Sequence, residues 1–361
     1  MRNSSSLERR LNRHAPVILV GGLFFTLSAL FFLTMCNMPC EDKLYGLDAD
    51  VLKAAKSKAF WKEHFLSPHR DLKAKLVILV LTGPENFQER DGIRETWMSD
   101  LSSLSVLIRF VIGSASLSVN TRQKIDREQL VHEDLLILNN VQDSYQGLTF
   151  KVLQAFVWLD QNVDFQYVLK VDDDSFVRVS NVLAELQHKP KDRLYWGFFD
   201  GRARVKTSGK WKETDWNLCD RYLPYARGGG YVLSSDLVHF IASNQEFFQL
   251  YLSEDVSVGA WLAPLKINRH HDQNFDTEYI SRGCLNSYLV THKQTVLKLR
   301  ELHTNLRSLG HLCKSEVVER ASYEYDWSFP PSKCCQRPEG KPMGKLAAKP
   351  VLSNAVRPPP R

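Results

Sequence analysis

The feature that most restricts the fold is the apolar run Tyr167-Val168-Leu169-Lys170-Val171, which passes without a break into Asp172, Asp173 and Asp174. A run of that composition reads as a strand buried on both faces of a parallel sheet. The three carboxylates then sit at the strand's carboxyl end, where open α/β sheets bind their ligands. Residues i and i+2 of an extended chain point the same way, so Asp172 and Asp174 can offer two carboxylates to one hard cation. Three adjacent like charges repel unless a cation or solvent compensates them, and a solvated turn is the competing reading.

The rest of the body has the same α/β rhythm. Lys75 to Leu81 (KLVILVL) is a buried strand ended by Thr82-Gly83-Pro84 and followed by a helix. Ser105 to Gly113 and Asp134 to Leu138 are further strands, with a helix over Gln123 to His132 between them and another over Phe150 to Asn162. Strand, helix, strand, helix predicts an α/β doubly wound sheet. After Gly201 come a polar basic loop, aromatic-rich strands and a helix from Ser235 to Phe240. Residues 73–336 read as one catalytic domain, and the Pro- and Lys-rich residues 337–361 as a flexible tail.

From Ala15 to Met35 the chain carries no formal charge over 21 residues, long enough for a helix to cross a bilayer core of roughly 30 Å. Four arginines precede it and Glu41-Asp42-Lys43 follows. The positive-inside rule therefore keeps residues 1–14 cytosolic and sends the remainder across the membrane as a single-pass type II protein, with residues 36–72 as a luminal stem. A cleaved signal peptide is the alternative, but no small-x-small site follows the apolar segment. The formal charge of +6 resides at the two ends, +3 over residues 1–14 and +5 over 337–361, leaving −2 for the body. That distribution argues against a nucleic-acid surface, which requires a clustered cationic face. Five of the seven cysteines lie in the second half. In an oxidising compartment, Cys284 can bridge to Cys219 or Cys313. Adjacent Cys334 and Cys335 are expected to reach back into the body rather than to each other.

Two enzyme classes use an acidic pair at a strand end. In haloacid-dehalogenase-like phosphatases the first Asp is a nucleophile, but there the motif opens the domain. In nucleotide-sugar glycosyltransferases the carboxylates hold a divalent cation against the donor diphosphate. Five ordered stretches carry a resemblance: Arg90 to Trp97, Asp143 to Lys151, Lys170 to Phe176, Tyr225 to Tyr231, and Glu254 to Gly259. Together they resemble the β-1,3-galactosyltransferase family, which includes N-acetylglucosaminyltransferases and the Fringe enzymes. Gly147 departs from the pattern, since the family usually has Asn there. Tyr195 to Phe199, His271-Asp272, Phe275 to Tyr279 and Tyr325-Asp326-Trp327 through Arg337 are similar to the members that add the second galactose of the glycosaminoglycan linkage tetrasaccharide.

This resemblance implies a GT-A-type catalytic domain with a Rossmann-like mixed sheet, anchored in the Golgi membrane and facing the lumen. It implies Mn²⁺, UDP-galactose as donor, and galactosyl-β-1,4-xylose on proteoglycan core proteins as acceptor, with a homodimer or a Golgi enzyme complex left open. It places the base of an inverting transfer at Asp255, with a helix N-cap as the alternative. Asp174 is expected first as a metal ligand, with Asp172 or Asp173 second, His292 completing the set and His270 and His271 as rivals. Asp173 and Gly229 are expected at the nucleotide sugar, Gly229 by close backbone approach within Gly228-Gly229-Gly230. Arg90 and Arg94, four apart on one helix face, suit phosphate and uracil oxygens, with an internal salt bridge as the alternative. Trp97 is expected in the core, and Trp196, Trp211 and Trp216 either present faces to sugar or are simply buried.

Overall fold

The structure, a computed structural model, describes residues 72–99, 101 and 105–338. The expected cytosolic tail, membrane span and stem, and the C-terminal tail from residue 339 on, lie outside the described residues. Among the described residues no helix is long and apolar enough to cross a membrane.

Strand β1 (Leu72–Leu81) is buried from Leu76 onward and is flanked in parallel by β2 (Val106–Gly113) and β4 (Val163–Asp172), with β3 (Leu135–Leu138) parallel beyond β2. This half is built by crossover helices: α1 (Phe87–Glu95), α2 (Val119–His132) and α3 (Leu148–Asn162). Helix α2 starts earlier than the apolar pattern indicates. Ser118 caps it by accepting from the Thr121 amide, and the end is closed by Glu133 in the left-handed region at φ 53°.

Beyond β4 the sheet changes direction. β7 (Tyr225–Ser234) joins β4 antiparallel, β6 (Leu194–Asp200) joins β7 antiparallel, and β8 (Asn268–His271) closes the edge parallel to β6. The order β3-β2-β1-β4-β7-β6-β8 is a mixed seven-stranded sheet. Buried side chains such as Phe156, Trp196 and Tyr231 fill both faces, each worth roughly 1.5–3 kcal/mol by removal from water. Helices α4 (Val179–Glu185), α5 (Ser235–Ser243), α6 (Glu254–Leu262) and α7 (Val296–Leu309) complete the layers, α5 against α3 and α7 against α1.

A second, three-stranded sheet is built from two-residue strands: β5 (Phe176–Val177), β9 (Phe275–Asp276) and β11 (Val290–Thr291). β11 lies antiparallel to β5, with Thr291 opposite Phe176, which returns the chain after β11 to the turn after β4. β10 (Gly283–Cys284) pairs with β12 (Val317–Val318). Cys284 is bridged to Cys313, one of its two expected partners, and Cys219 is exposed and free. The expectation for Cys334 and Cys335 needs correction, because they are bonded to each other with Cα atoms 3.7 Å apart. Residues 323–335 dock on the core beside Phe199 and Gly201 and carry both sulfurs inside together. Each other described cysteine is already paired or exposed, so neither has another thiol to reach.

Candidate active site

Asp172 is the last residue of β4 and Asp174 lies two residues on in the turn; His292 directly follows β11. One ligand atom from each lies within 4.8 Å of the others. His292 Nε2 is 2.9 Å from Asp174 Oδ1 and 3.3 Å from Asp172 Oδ2. The far side of the ring is fixed by Nδ1 at 3.3 Å from the Glu278 carbonyl. With Nδ1 donating there, Nε2 is the nitrogen a metal would take once it gives up the proton it holds toward the carboxylates. Asp174 Oδ1 and His292 Nε2 are both buried without an aligned hydrogen-bond partner, so the donor set fits a hard divalent cation. Burial works to lower the His292 pKa, but the close carboxylates of Asp172 and Asp174 outweigh it and carry it up to about 9. Burial would raise Asp172, yet Lys170 and His292 hold it well below the usual carboxylate range.

Asp173 faces away from this group. Its carboxylate accepts from Asn86 Nδ2 at 2.8 Å, tying the turn to the start of α1, and its amide donates to the Leu81 carbonyl at 3.1 Å. Gly229 in β7 is required by the histidine, because a Cβ there would lie 2.5 Å from His292 Nδ1. Gly147, the departure from the family pattern, is required too, since a Cβ would meet the Gln142 carbonyl at 2.6 Å.

Asp255 stands in the first turn of α6, its carboxylate accepting from the amides of Gly228 and Val256, each at 2.9 Å. Burial raises its pKa, against the opposing influence of Arg227, Lys170 and those two amides. It is half-buried and more basic than an exposed aspartate, the profile of a carboxylate suited to accept a proton. Neighbouring Glu254 is buried and accepts from Tyr231 Oη at 3.0 Å; burial pushes its pKa up to about 7 although Lys170 opposes the shift.

Lys170 was not singled out in the sequence. Its buried ammonium donates to Asp172 Oδ1 at 2.8 Å, to the Gly228 carbonyl at 2.6 Å and to Glu254, so one side chain connects the cation-binding edge of β4 to the acidic pair on α6. The available signal was period-two alternation, which places Lys170 on the same face as Asp172.

The expected role of Arg90 and Arg94 in nucleotide binding is corrected, because their guanidinium groups are taken up by carboxylates. Arg90 is fully buried; it makes two 2.7 Å contacts with Glu128 and donates to the Gly83 carbonyl at 2.6 Å. Arg94 binds Glu128 at 2.6 Å, Asp91 at 2.7 Å and Asp134 at 2.8 Å. The helix face they share turns toward α2 and β3, so they brace the loop after β1. His271 is structural as well: Nδ1 accepts from the Phe199 amide at 3.0 Å, and Nε2 lies 2.9 Å from the Tyr323 carbonyl. Trp97 and Trp196 are core residues, Trp216 packs on Tyr222 and Tyr251, and Trp211 is partly exposed.

Comparison with known proteins decides what this site belongs to. The galactosyltransferase family model matches residues 88–273, which contain β4, its acidic turn and Asp255. The chain belongs to the galactosyltransferase family. Beta-1,3-galactosyltransferase 6 of Mus musculus is 45% identical over 340 residues, 92% of this chain and 99% of that protein. UDP-GalNAc:beta-1,3-N-acetylgalactosaminyltransferase 2 of Xenopus tropicalis is 31% identical over 194 residues, 53% of this chain and 39% of that protein. The hydroxyproline O-galactosyltransferase GALT2 of Arabidopsis thaliana is 29% identical over 266 residues, 70% of this chain and 37% of that protein. The match to the mouse galactosyltransferase is thus nearly end to end, whereas the other two are matched over less than half of their own length.

Proposed function

We propose that this chain is a β-1,3-galactosyltransferase that transfers galactose from UDP-galactose, with inversion, to galactosyl-β-1,4-xylose on proteoglycan core proteins. The observation that carries this reading is 45% identity across 99% of the length of the mouse enzyme. Residues 73–336 form its GT-A-type domain, and residues 15–35 anchor it in the Golgi membrane with that domain in the lumen.

Asp172, Asp174 and His292 would hold Mn²⁺, which would supply positive charge against the donor diphosphate. Asp255 takes the proton from the acceptor hydroxyl. The freed oxygen bonds to the anomeric carbon of galactose from the face opposite UDP, and the bond from that carbon to the diphosphate oxygen breaks, its electron pair leaving with UDP. Gly228 holds Asp255 in place through its amide, and Lys170 ties that strand to Asp172.

A reading as an N-acetylhexosamine transferase finds support in the 31% identity to the Xenopus enzyme, which covers only 39% of that protein. The test is an assay of the full chain in detergent with Mn²⁺ and galactosyl-β-1,4-xyloside, offering UDP-galactose and UDP-N-acetylhexosamines in competition. A product carrying a new β-1,3-linked galactose by NMR is expected. Preferential transfer of an N-acetylhexosamine would overturn the donor.

A further inference from the structure

β7 crosses the site like a ruler. His292 packs on Gly229, the Gly228 amide holds Asp255, Arg227 is ion-paired with Asp200, and Tyr225 forms the last rung of the β6–β7 ladder opposite Asp200. At about 3.3 Å per residue, Gly229 to Tyr225 spans about 13 Å, along which cation cluster, base and ion pair follow in that order. Past the last rung lies the C-terminal aromatic segment. Tyr323 Oη donates to the Phe199 carbonyl at 2.8 Å, and Tyr325 Oη lies 2.6 Å from where a Cβ on Gly201 would stand. Tyr325 and Trp327 stack with ring centroids 3.8 Å apart, and Trp327 meets Phe199 edge-on at 5.3 Å. Trp327 nevertheless keeps 44% of its surface exposed. Arg227 Nη1 donates to Tyr225 Oη and Nη2 binds Asp200, and its buried Nε has no hydrogen-bond partner.

A pyranose presents an apolar C–H face and a rim of hydroxyls. An aromatic face beside a charged pair matches both parts. We infer that the open face of Trp327, backed by Tyr325, is the platform for the non-reacting sugar of the acceptor, with the partly exposed Arg227, next along β7 to the Gly228 that holds Asp255, to meet the hydroxyls. The inference rests on the disaccharide acceptor reading above. It assigns acceptor selection to the C-terminal segment and donor chemistry to the opposite end of β7.

The test compares the full-length wild type with Trp327→Ala and Trp327→Tyr. Each is assayed for acceptor KM on galactosyl-β-1,4-xyloside, donor KM, and acceptor-independent hydrolysis of UDP-galactose, with thermal midpoints in parallel. Trp327→Ala is expected to raise the acceptor KM about tenfold, the scale of losing a stacked aromatic anchor. Donor KM and hydrolysis should stay at wild-type values, and Trp327→Tyr should restore most of the acceptor KM. Saturation-transfer NMR on the wild type, irradiating aromatic protons, should label the xylose ring and bypasses any variant that folds poorly. An unchanged acceptor KM with an altered oligomeric state or thermal midpoint would overturn the platform and give Trp327 to a protein contact. Wild type that transfers nothing to the disaccharide would instead overturn the acceptor reading itself.

Discussion

Two polar clusters sit near the carboxyl ends of the parallel strands, and they are built on opposite plans. Around Arg90 and Arg94, two guanidinium groups are matched by the carboxylates of Glu128, Asp134 and Asp91 at 2.6–2.8 Å. Around Asp172, two carboxylates converge on one imidazole, and a buried oxygen and a buried nitrogen are left without aligned partners. The first cluster is closed and braces the fold. The second is open and has capacity for a ligand. Residue type alone does not tell them apart, since arginine forks suit a phosphate as well as a carboxylate; satisfaction of the donors and acceptors does.

The comparison is broken most severely if the open cluster tolerates substitution. Asp174→Ala is expected to lower kcat/KM about 10³-fold, roughly 4 kcal/mol of transition-state stabilisation, while the thermal midpoint of the cation-free chain falls only slightly, because His292 and Lys293 lose one carboxylate partner in a partly exposed site. Steady-state transfer and calorimetry on one preparation check both halves. Arg90→Ala should do the reverse. Breaking the buried pair with Glu128 is expected to remove about 3 kcal/mol of stability, with kcat of the folded fraction within a few-fold of wild type, and denaturant titration reads the loss.

Smaller effects sharpen the contrast. His292→Ala should weaken Mn²⁺ binding about 10–100-fold, judged from the effect of losing groups that support a metal site, and titration calorimetry measures it. The histidine also sets a pH signature. Its pKa of about 9 lies above the ordinary imidazole value, so in the cation-free chain its contribution to stability is complete below pH 6.5 and is lost as the pH rises through about 9. Near pH 7.5 Mn²⁺ must displace that proton. Binding should release close to one proton in the wild type and none from this group in His292→Ala, seen as a buffer-dependent enthalpy.

Much of this was readable because long strands announce themselves. β1 and β4 carry six or more consecutive apolar or half-buried positions, and the pairing of Asp172 with Asp174 expected for an extended chain is kept by the turn that follows β4. His292 was reachable only through family resemblance. Its strand, β11, has two residues, too few for any period, and its place beside the acidic turn comes from long-range pairing with β5. Arg90 and Arg94 were on the right face of α1 for the wrong partner, since Glu128 and Asp134 meet them only after α2 and β3 are packed. Lys170 is a single charge in an apolar strand, and its three acceptors come from β4, β7 and α6, which only the folded chain brings together. The Cys334–Cys335 bridge was missed because spacing rules describe cysteines apart in the chain, whereas here docking of residues 323–335 buries both at once.

The central claim is that the open cluster is the cation site, and electron paramagnetic resonance of Mn²⁺ titrated into the full chain tests it without any turnover. The account predicts one tightly bound ion in the wild type and in Arg90→Ala, and loss of that ion in Asp172→Asn/Asp174→Asn. Retention of the bound Mn²⁺ signal by the double aspartate variant would contradict it.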